Sequence, residues 1–269
     1  MVLKHSSCLL VVFVLLYSSV SSASIDTVEH RKPSSGSVLF GISLIGLEFA
    51  GLPLLDVKYN YRKFPKLDNP FNYIEEREPF IQDELWHFVG ASALTEVNYS
   101  ILQNCFAIEK PYLLCGLMTF SFWTGMECLD ALSGSGFSVR DELGNLLGVT
   151  FSLIKIRYPG FPFKVRIGVR DIRSFATSIQ KAVTGSIHHQ LGSQYDFMKV
   201  ELICRSPDTY LYTGVAVTRT ENRQDLYGIT FGLDAVDIVN DLYSGWWNKP
   251  LGFITRHFST GISFTCWLK

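Results

Sequence analysis

The sequence predicts an α+β protein, in which an N-terminal bundle of about four apolar helices precedes a C-terminal antiparallel β region. Up to residue 160 the chain consists mainly of long apolar segments, several of them carrying polar residues at helical spacing. After Pro162, short segments of strand character alternate with turn sequences. Only 18% of the 269 residues are charged and the formal net charge is −1. This composition argues against a nucleic-acid partner and is typical of envelope or membrane-associated proteins.

Residues 1–23 have the pattern of a secretory signal peptide. A ten-residue apolar core, CLLVVFVLLY, follows Lys4 and His5, and Ser21-Ser22-Ala23 fits the small-x-small cleavage rule. An uncleaved anchor is the alternative, although the apolar core is shorter than the ~20 residues that span a bilayer. We therefore expect an exported protein of the periplasm or of the outer-membrane-associated cell envelope, with the membrane as its partner and an envelope protein as a further candidate partner.

Residues 24–80 are predicted to hold a polar lead-in, a first apolar helix over residues 38–55 and a connector. Glu48 is the only charged residue of that helix. We interpret it as a carboxylate at the water-exposed end of an interfacial helix, and the alternative is a functional acid within the membrane. Five cysteines follow the signal peptide without a CxxC pair, so a cysteine-based zinc site is not indicated. A disulfide between Cys204 and Cys266 is one candidate pairing.

Residues 81–160 form the predicted helical core, and residues 161–269 form the β-rich region. Proline and glycine divide the core into helices over residues 83–106, 112–132 and 138–158. The last of them contains Gly144-x-x-x-Gly148, a pattern that lets two helices approach closely. Strands are expected over residues 163–169, 197–205, 210–219, 226–233 and 262–268, and an antiparallel meander fits them best.

Polar residues at three- or four-residue spacing mark the core helices, so each set lies on one helix face. They are Asp83, His87, Glu127, Asp130, Ser138, Asp141 and Asn145. Carboxylates that face a histidine can bind a divalent metal ion or exchange protons at a shifted pKa. Buried carboxylates also need partners, and the neighbouring helices are the obvious source of them.

Ordinary helix chemistry explains part of this set. Ser138 followed by Asp141 resembles a helix N-cap with an acid three residues on. Asp83 falls in the first turn of its helix, where the helix dipole favours a negative charge. Asn145 and His87 have the alternative of being buried hydrogen-bonding residues that fix helix packing.

Glu127 and Asp130 have no such explanation, because neither a cap nor the helix dipole accounts for an acid at these positions. We therefore take His87, Glu127 and Asp130 as the candidate catalytic residues. The remaining members are assigned to a polar network: Asp83, Ser138, Asp141 and Asn145. The sequence does not identify a metal or a cofactor.

Three motifs in order give the core a resemblance to a known family. They are Asp83-x-x-x-His87-Phe-x-Gly90, Gly125-Met-Glu127-x-x-Asp130 and Gly136-Phe-Ser138-x-x-Asp141-x-x-x-Asn145-x-x-Gly148. Over about residues 80–158 the chain resembles the YfiM-like family of predicted periplasmic (lipo)proteins of unknown function. It departs from the family pattern at Glu84, where the family usually has Lys, and at Ala131, where it has Gly.

The β-rich tail resembles the longer members of that family less closely, and the helical part is more distantly similar to VanZ-like membrane proteins. The resemblance implies a helical core and an envelope location, and it supplies no reaction. Two function hypotheses follow. The preferred one is an envelope protein whose buried polar network is structural or supports partner binding. The alternative is a metal- or acid/base-dependent enzyme acting on a lipid or cell-wall precursor.

Overall fold

The computed structural model describes residues 33–51, 53–54, 81–133, 137–169, 198–205, 209–219, 225–233, 238 and 262–268. Within these ranges, four α-helices precede a five-stranded antiparallel sheet, which confirms the predicted α+β arrangement. The predicted signal peptide and the connector over residues 56–80 lie outside the described residues. No helix in the described ranges is long and apolar enough to cross a membrane.

The helices follow the predicted boundaries to within a few residues. They are α1 (Ser35–Gly46), continued by a π-helical turn (Leu47–Gly51), α2 (Ile81–Phe106), α3 (Tyr112–Ser133) and α4 (Val139–Arg157). Ser138 caps α4 by accepting a hydrogen bond from the Asp141 N–H at 3.2 Å, as predicted. Lys155 and Arg157 lie in its last turn, where the helix dipole favours cations.

The backbone of α4 lies in direct contact with the backbone of α2. A Cβ atom added at Gly144 would lie 2.6 Å from the Glu84 carbonyl oxygen, and one added at Gly148 would lie 2.2 Å from the Phe88 carbonyl oxygen. Only glycine fits at these two contacts, which confirms the close-packing pattern in the sequence.

Polar pairs fix the register of α4 on α2 along the same contact. The Arg140 Nε atom lies 2.7 Å from Glu84 Oε1 near the start of α4, and the Lys155 Nζ atom lies 2.7 Å from Glu96 Oε1 near its end. Between them the hydroxyl oxygens of Ser92 and Ser152 are 2.9 Å apart. Because these partners are half-buried or buried, a slip of one helical turn would leave them without hydrogen bonds.

The five strands form a meander in the order β1-β2-β3-β4-β5, and every neighbouring pair is antiparallel. They are β1 (Phe163–Val169), β2 (Met198–Arg205), β3 (Leu211–Arg219), β4 (Asp225–Leu233) and β5 (Ile262–Leu268). Val165 and Val200 pack against Leu85 and Phe88 of α2, so this face of the sheet contacts the helices. The predicted strands and their antiparallel order are confirmed.

The sheet separates the two cysteines that were a candidate disulfide. Cys204 lies on β2 and Cys266 on β5, and both are free thiols. Three strand spacings of ~4.8 Å place these strands ~14 Å apart, about twice the Cα separation that a disulfide bridges. The pairing of Cys204 with Cys266 is therefore wrong.

Candidate metal centre

Three helices bring His87, Glu127 and Asp141 together. One ligand atom from each residue lies within 4.8 Å of the others. The His87 Nδ1 atom is 3.6 Å from Glu127 Oε1, and the His87 Nε2 atom is 3.8 Å from Asp141 Oδ2. The Glu127 side chain is 2% exposed, whereas those of His87 and Asp141 are 18% and 15% exposed. The cluster therefore has a buried floor and a side that solvent reaches.

Asn145 holds the histidine from the buried side. Its Oδ1 atom lies 3.2 Å from His87 Nδ1, and its Nδ2 atom donates to Glu142 Oε2 at 3.2 Å. The other Glu142 oxygen accepts a hydrogen bond from the Thr124 hydroxyl. When His87 Nδ1–H donates to Asn145, the Nε2 lone pair faces Asp141. A hydrogen bond of this kind selects the tautomer of many metal-binding histidines.

Glu127 is a buried carboxyl group whose pKa is raised above its ordinary value. The pKa of Glu127 is raised to about 7, chiefly by burial and to a lesser extent by the carboxylates of Asp141 and Asp130. His87 and the Ser138 N–H, which donates to Glu127 Oε2 at 3.3 Å, oppose this rise. Two carboxylates in one partly buried site favour a proton or a bound cation between them.

Local packing holds the His87 side chain in place. The edge of its ring contacts Trp123, with ring centroids 5.3 Å apart. On the other side α4 is so close that a Cβ at Gly144 would lie 3.3 Å from the His87 Cβ. The ring is thus confined between α3 and α4, with both nitrogen atoms directed at polar partners.

The structure brings together two of the three predicted catalytic residues and supplies a different third one. His87 and Glu127 are adjacent as predicted, but Asp141 completes the cluster. Asp130 is half-buried on α3, acts on Glu127 through its charge, and is not among the three converging ligand residues.

Of the four residues predicted to form a polar network, Ser138, Asp141 and Asn145 contact the cluster or belong to it. Ser138 caps α4 and donates its backbone N–H to Glu127, and Asn145 contacts His87. Asp141 belongs to the cluster itself. Asp83 lies in the first turn of α2, and its side chain is outside the described part of the chain.

The interpretation of Glu48 as a residue at a water-exposed helix end is wrong, because its side chain is fully buried. Asn98 Nδ2 donates to Glu48 Oε1 at 3.0 Å and to Thr119 Oγ1 at 3.1 Å. Burial raises the pKa of Glu48 to about 7, against the opposing effect of the Asn98 hydrogen bond. Glu48, Asn98 and Thr119 each interrupt an apolar helical segment, and this pattern is the sequence signal that could have revealed their buried hydrogen bonds.

The donor set of the cluster suits a divalent ion. One imidazole nitrogen and two carboxylate oxygens are ligands that Zn²⁺, Mn²⁺ and Fe²⁺ accept. Three protein ligands leave coordination positions open, as in catalytic rather than structural sites. Without a metal, the same residues form a histidine between two acids, which can transfer protons or simply fix the packing of three helices.

Comparison with known proteins does not assign a function to this cluster. No protein-family model, no curated protein and no solved structure matches the chain. The resemblance to YfiM-like proteins therefore stays a prediction, and the site must be interpreted from its own geometry.

Proposed function

We propose that the helical core is a metal-dependent enzyme domain that binds one divalent transition-metal ion through His87, Glu127 and Asp141. The observation that carries this proposal is the convergence of three ligand atoms, from three different helices, within 4.8 Å. When bound, such an ion would act as a Lewis acid or activate a water molecule. Asn145 would orient His87, and the exposed side of His87 and Asp141 would admit a substrate.

The separations within the cluster leave room for a cation between the three side chains. The His87 Nδ1 atom lies 3.6 Å from Glu127 Oε1, and the opposite ring nitrogen, Nε2, lies 3.8 Å from Asp141 Oδ2; both distances are longer than hydrogen bonds. Ligand atoms around a tetrahedral ion with bonds of ~2.0–2.2 Å lie ~3.3 Å apart. One ligand atom of each residue lies within 4.8 Å of the others, so the side chains would have to contract by up to about 1.5 Å to enclose an ion. The ion would offset the burial of the Glu127 carboxylate.

The test is metal binding by matched variants of the full chain. We expect wild-type protein to bind Zn²⁺ or Mn²⁺ with a stoichiometry near one, measured by titration calorimetry and elemental analysis. Asp141→Asn should weaken binding at least tenfold because it removes a charged ligand. Asp130→Asn is the matched control, since it removes the same charge one helical turn from Glu127, and it should retain binding. Equal affinity of both variants would contradict the site.

A structural network is the second candidate function, and the His87–Asn145 hydrogen bond favours it. In that case wild-type protein binds neither metal, and His87→Ala lowers the free energy of unfolding without affecting any ligand. The two candidates thus differ in one measurement, the metal titration of wild-type protein.

The proposed setting is the cell envelope, and the proposed substrate class is a lipid or cell-wall precursor. Support comes from the signal-like residues 1–23, the low charge content and the apolar composition. Fractionation of cells that express the full chain with a C-terminal tag tests the location. Recovery of the chain with an intact N-terminus in the cytoplasm would contradict export. The membrane and an envelope protein remain the proposed partners.

A further inference from the structure

A second buried polar group lies where the N-terminal helix meets the core, and the proposed metal chemistry does not use it. Leu44 of α1 packs into a cluster that includes Leu94, Ile101 and Phe122. A Cβ added at Gly41 would lie 2.7 Å from the Cys105 Cβ, so α1 directly covers Cys105. The π-helical turn that follows carries Glu48, which is fully buried.

The Glu48 carboxyl group lacks the partners that a buried anion requires. Its Oε1 atom accepts a hydrogen bond from Asn98, whereas its Oε2 atom has no hydrogen-bond partner among the described residues. The Asn98 Oδ1 atom, also buried, has none there either. A single hydrogen bond from a neutral amide does not compensate for the lost hydration of a carboxylate, whereas a neutral carboxylic acid needs far less.

The neighbouring elements bring no opposite charge to this group. Asn98 from α2 and Thr119 from α3 are neutral, and no salt bridge among the described residues reaches Glu48. The titratable groups buried nearby are the thiols of Cys105 on α2 and Cys115 on α3, and burial raises the pKa of both. Glu96 of α2 binds Lys155 of α4 instead.

We propose that Glu48 is a proton-controlled latch, which holds α1 and its π-helical turn on α2 and α3 while it is a neutral acid and releases them when it ionises. Release lets water reach the carboxylate and uncovers the apolar surface around Ile101 and Phe122. The position of the latch supports this mechanism, because Glu48 lies at the end of a single helix that can move without separating α2 from α4.

The pH range follows from the burial of the acid. Burial raises the pKa of Glu48 from 4.5 to about 7, so the docked state is favoured below neutral pH. Between pH 4.5 and 7 the docked form keeps its proton, whereas the opened form, in which water reaches the acid, loses it. Opening therefore releases one proton in this range, so the opening equilibrium constant increases about tenfold per pH unit from pH 4.5 to 7 and becomes constant above the folded pKa.

Cys105 is a natural reporter of this opening. It is buried under α1, and Cys115 is a buried thiol at the start of α3 that lies outside the α1 cluster. The full chain is treated with a maleimide at pH 4.5 to 8, and labelling of each cysteine is quantified by peptide mass spectrometry. Glu48→Gln is the matched variant, because it keeps the shape of the acid and cannot ionise. Comparison of the two proteins at one pH removes the effect of thiol ionisation.

We expect the ratio of Cys105 labelling in wild type to that in Glu48→Gln to rise about tenfold per pH unit between pH 4.5 and 7 and to level off above pH 7. The ratio at Cys115 should stay near one. A Cys105 ratio that stays constant from pH 4.5 to 7 would overturn the latch. So would an equal rise at both cysteines, since it would indicate global unfolding. If Glu48→Gln fails to fold, the ratio of Cys105 to Cys115 labelling within wild-type protein decides: a rise with pH supports the latch and a constant value refutes it.

Discussion

Replacing Gly148 with alanine tests whether the close contact of α2 and α4 positions the site. The added Cβ would lie 2.2 Å from the Phe88 carbonyl oxygen, 2.9 Å from its carbonyl carbon and 3.1 Å from the Ala91 Cβ. Two of these neighbours are backbone atoms, which cannot rotate away as a side chain can. Helix α4 must therefore shift by about 1 Å to restore ordinary contact distances.

The expected net effect is a loss of stability. Alanine in place of glycine gains about 1 kcal/mol in a helix interior. Overpacking in a well-packed core costs about 1–3 kcal/mol, and here it also displaces a whole helix. With a cost near the upper end of this range, less the helix gain, we expect Gly148→Ala to lower the free energy of unfolding by about 1–2 kcal/mol. The shift would also move Asn145 away from His87, where the present separation is 3.2 Å, and weaken metal binding about tenfold.

Urea unfolding followed by tryptophan fluorescence measures the stability, and calorimetry measures the metal affinity. Gly125→Ala is the matched control, because nothing lies within 4 Å of its added Cβ on α3. That variant should be up to about 1 kcal/mol more stable than wild type and bind metal normally. If Gly148→Ala is as stable as Gly125→Ala, the close approach of α2 and α4 is incorrect.

Two further predictions concern pH. Because burial raises the pKa of Glu48 from 4.5 to about 7, its contribution to stability is fully present below pH 4.5 and is lost as pH rises to 7. Unfolding of wild type and Glu48→Gln at several pH values should show wild type losing about 3 kcal/mol relative to the variant across this range, and a constant difference would contradict the burial of the acid. Because the pKa of Glu127 is also raised to about 7, protons compete with the metal below neutral pH. Calorimetry should show an apparent affinity that falls about tenfold per pH unit below pH 7, and a pH-independent affinity would exclude Glu127 as a ligand.

Much of the fold was predictable because local rules govern it. Caps, prolines and glycines set the ends of the helices, and Ser138 is both the predicted and the observed cap of α4. Strand alternation and turn sequences gave the five strands and their antiparallel order. The glycine pair of α4 identified the contact with α2, since small residues are needed wherever two helix backbones meet.

The site was only half predictable, because helical spacing fixes which side chains share a face but not which faces meet. Glu127 and Asp130 share a face of α3, and the sequence could not distinguish them from Asp141, whose place beside an N-cap already had an explanation. The path from α3 into α4 puts Asp141 beside His87. Likewise, the strand order separates Cys204 from Cys266.

The sequence alone thus predicted the α+β architecture and the element boundaries to within a few residues. Tertiary structure alone decided the third member of the cluster and the burial of Glu48. The physical reason is the same in both cases. Proximity between residues on different elements, and the exclusion of water from a carboxylate, depend on how whole helices pack, and no local pattern of residues encodes that arrangement.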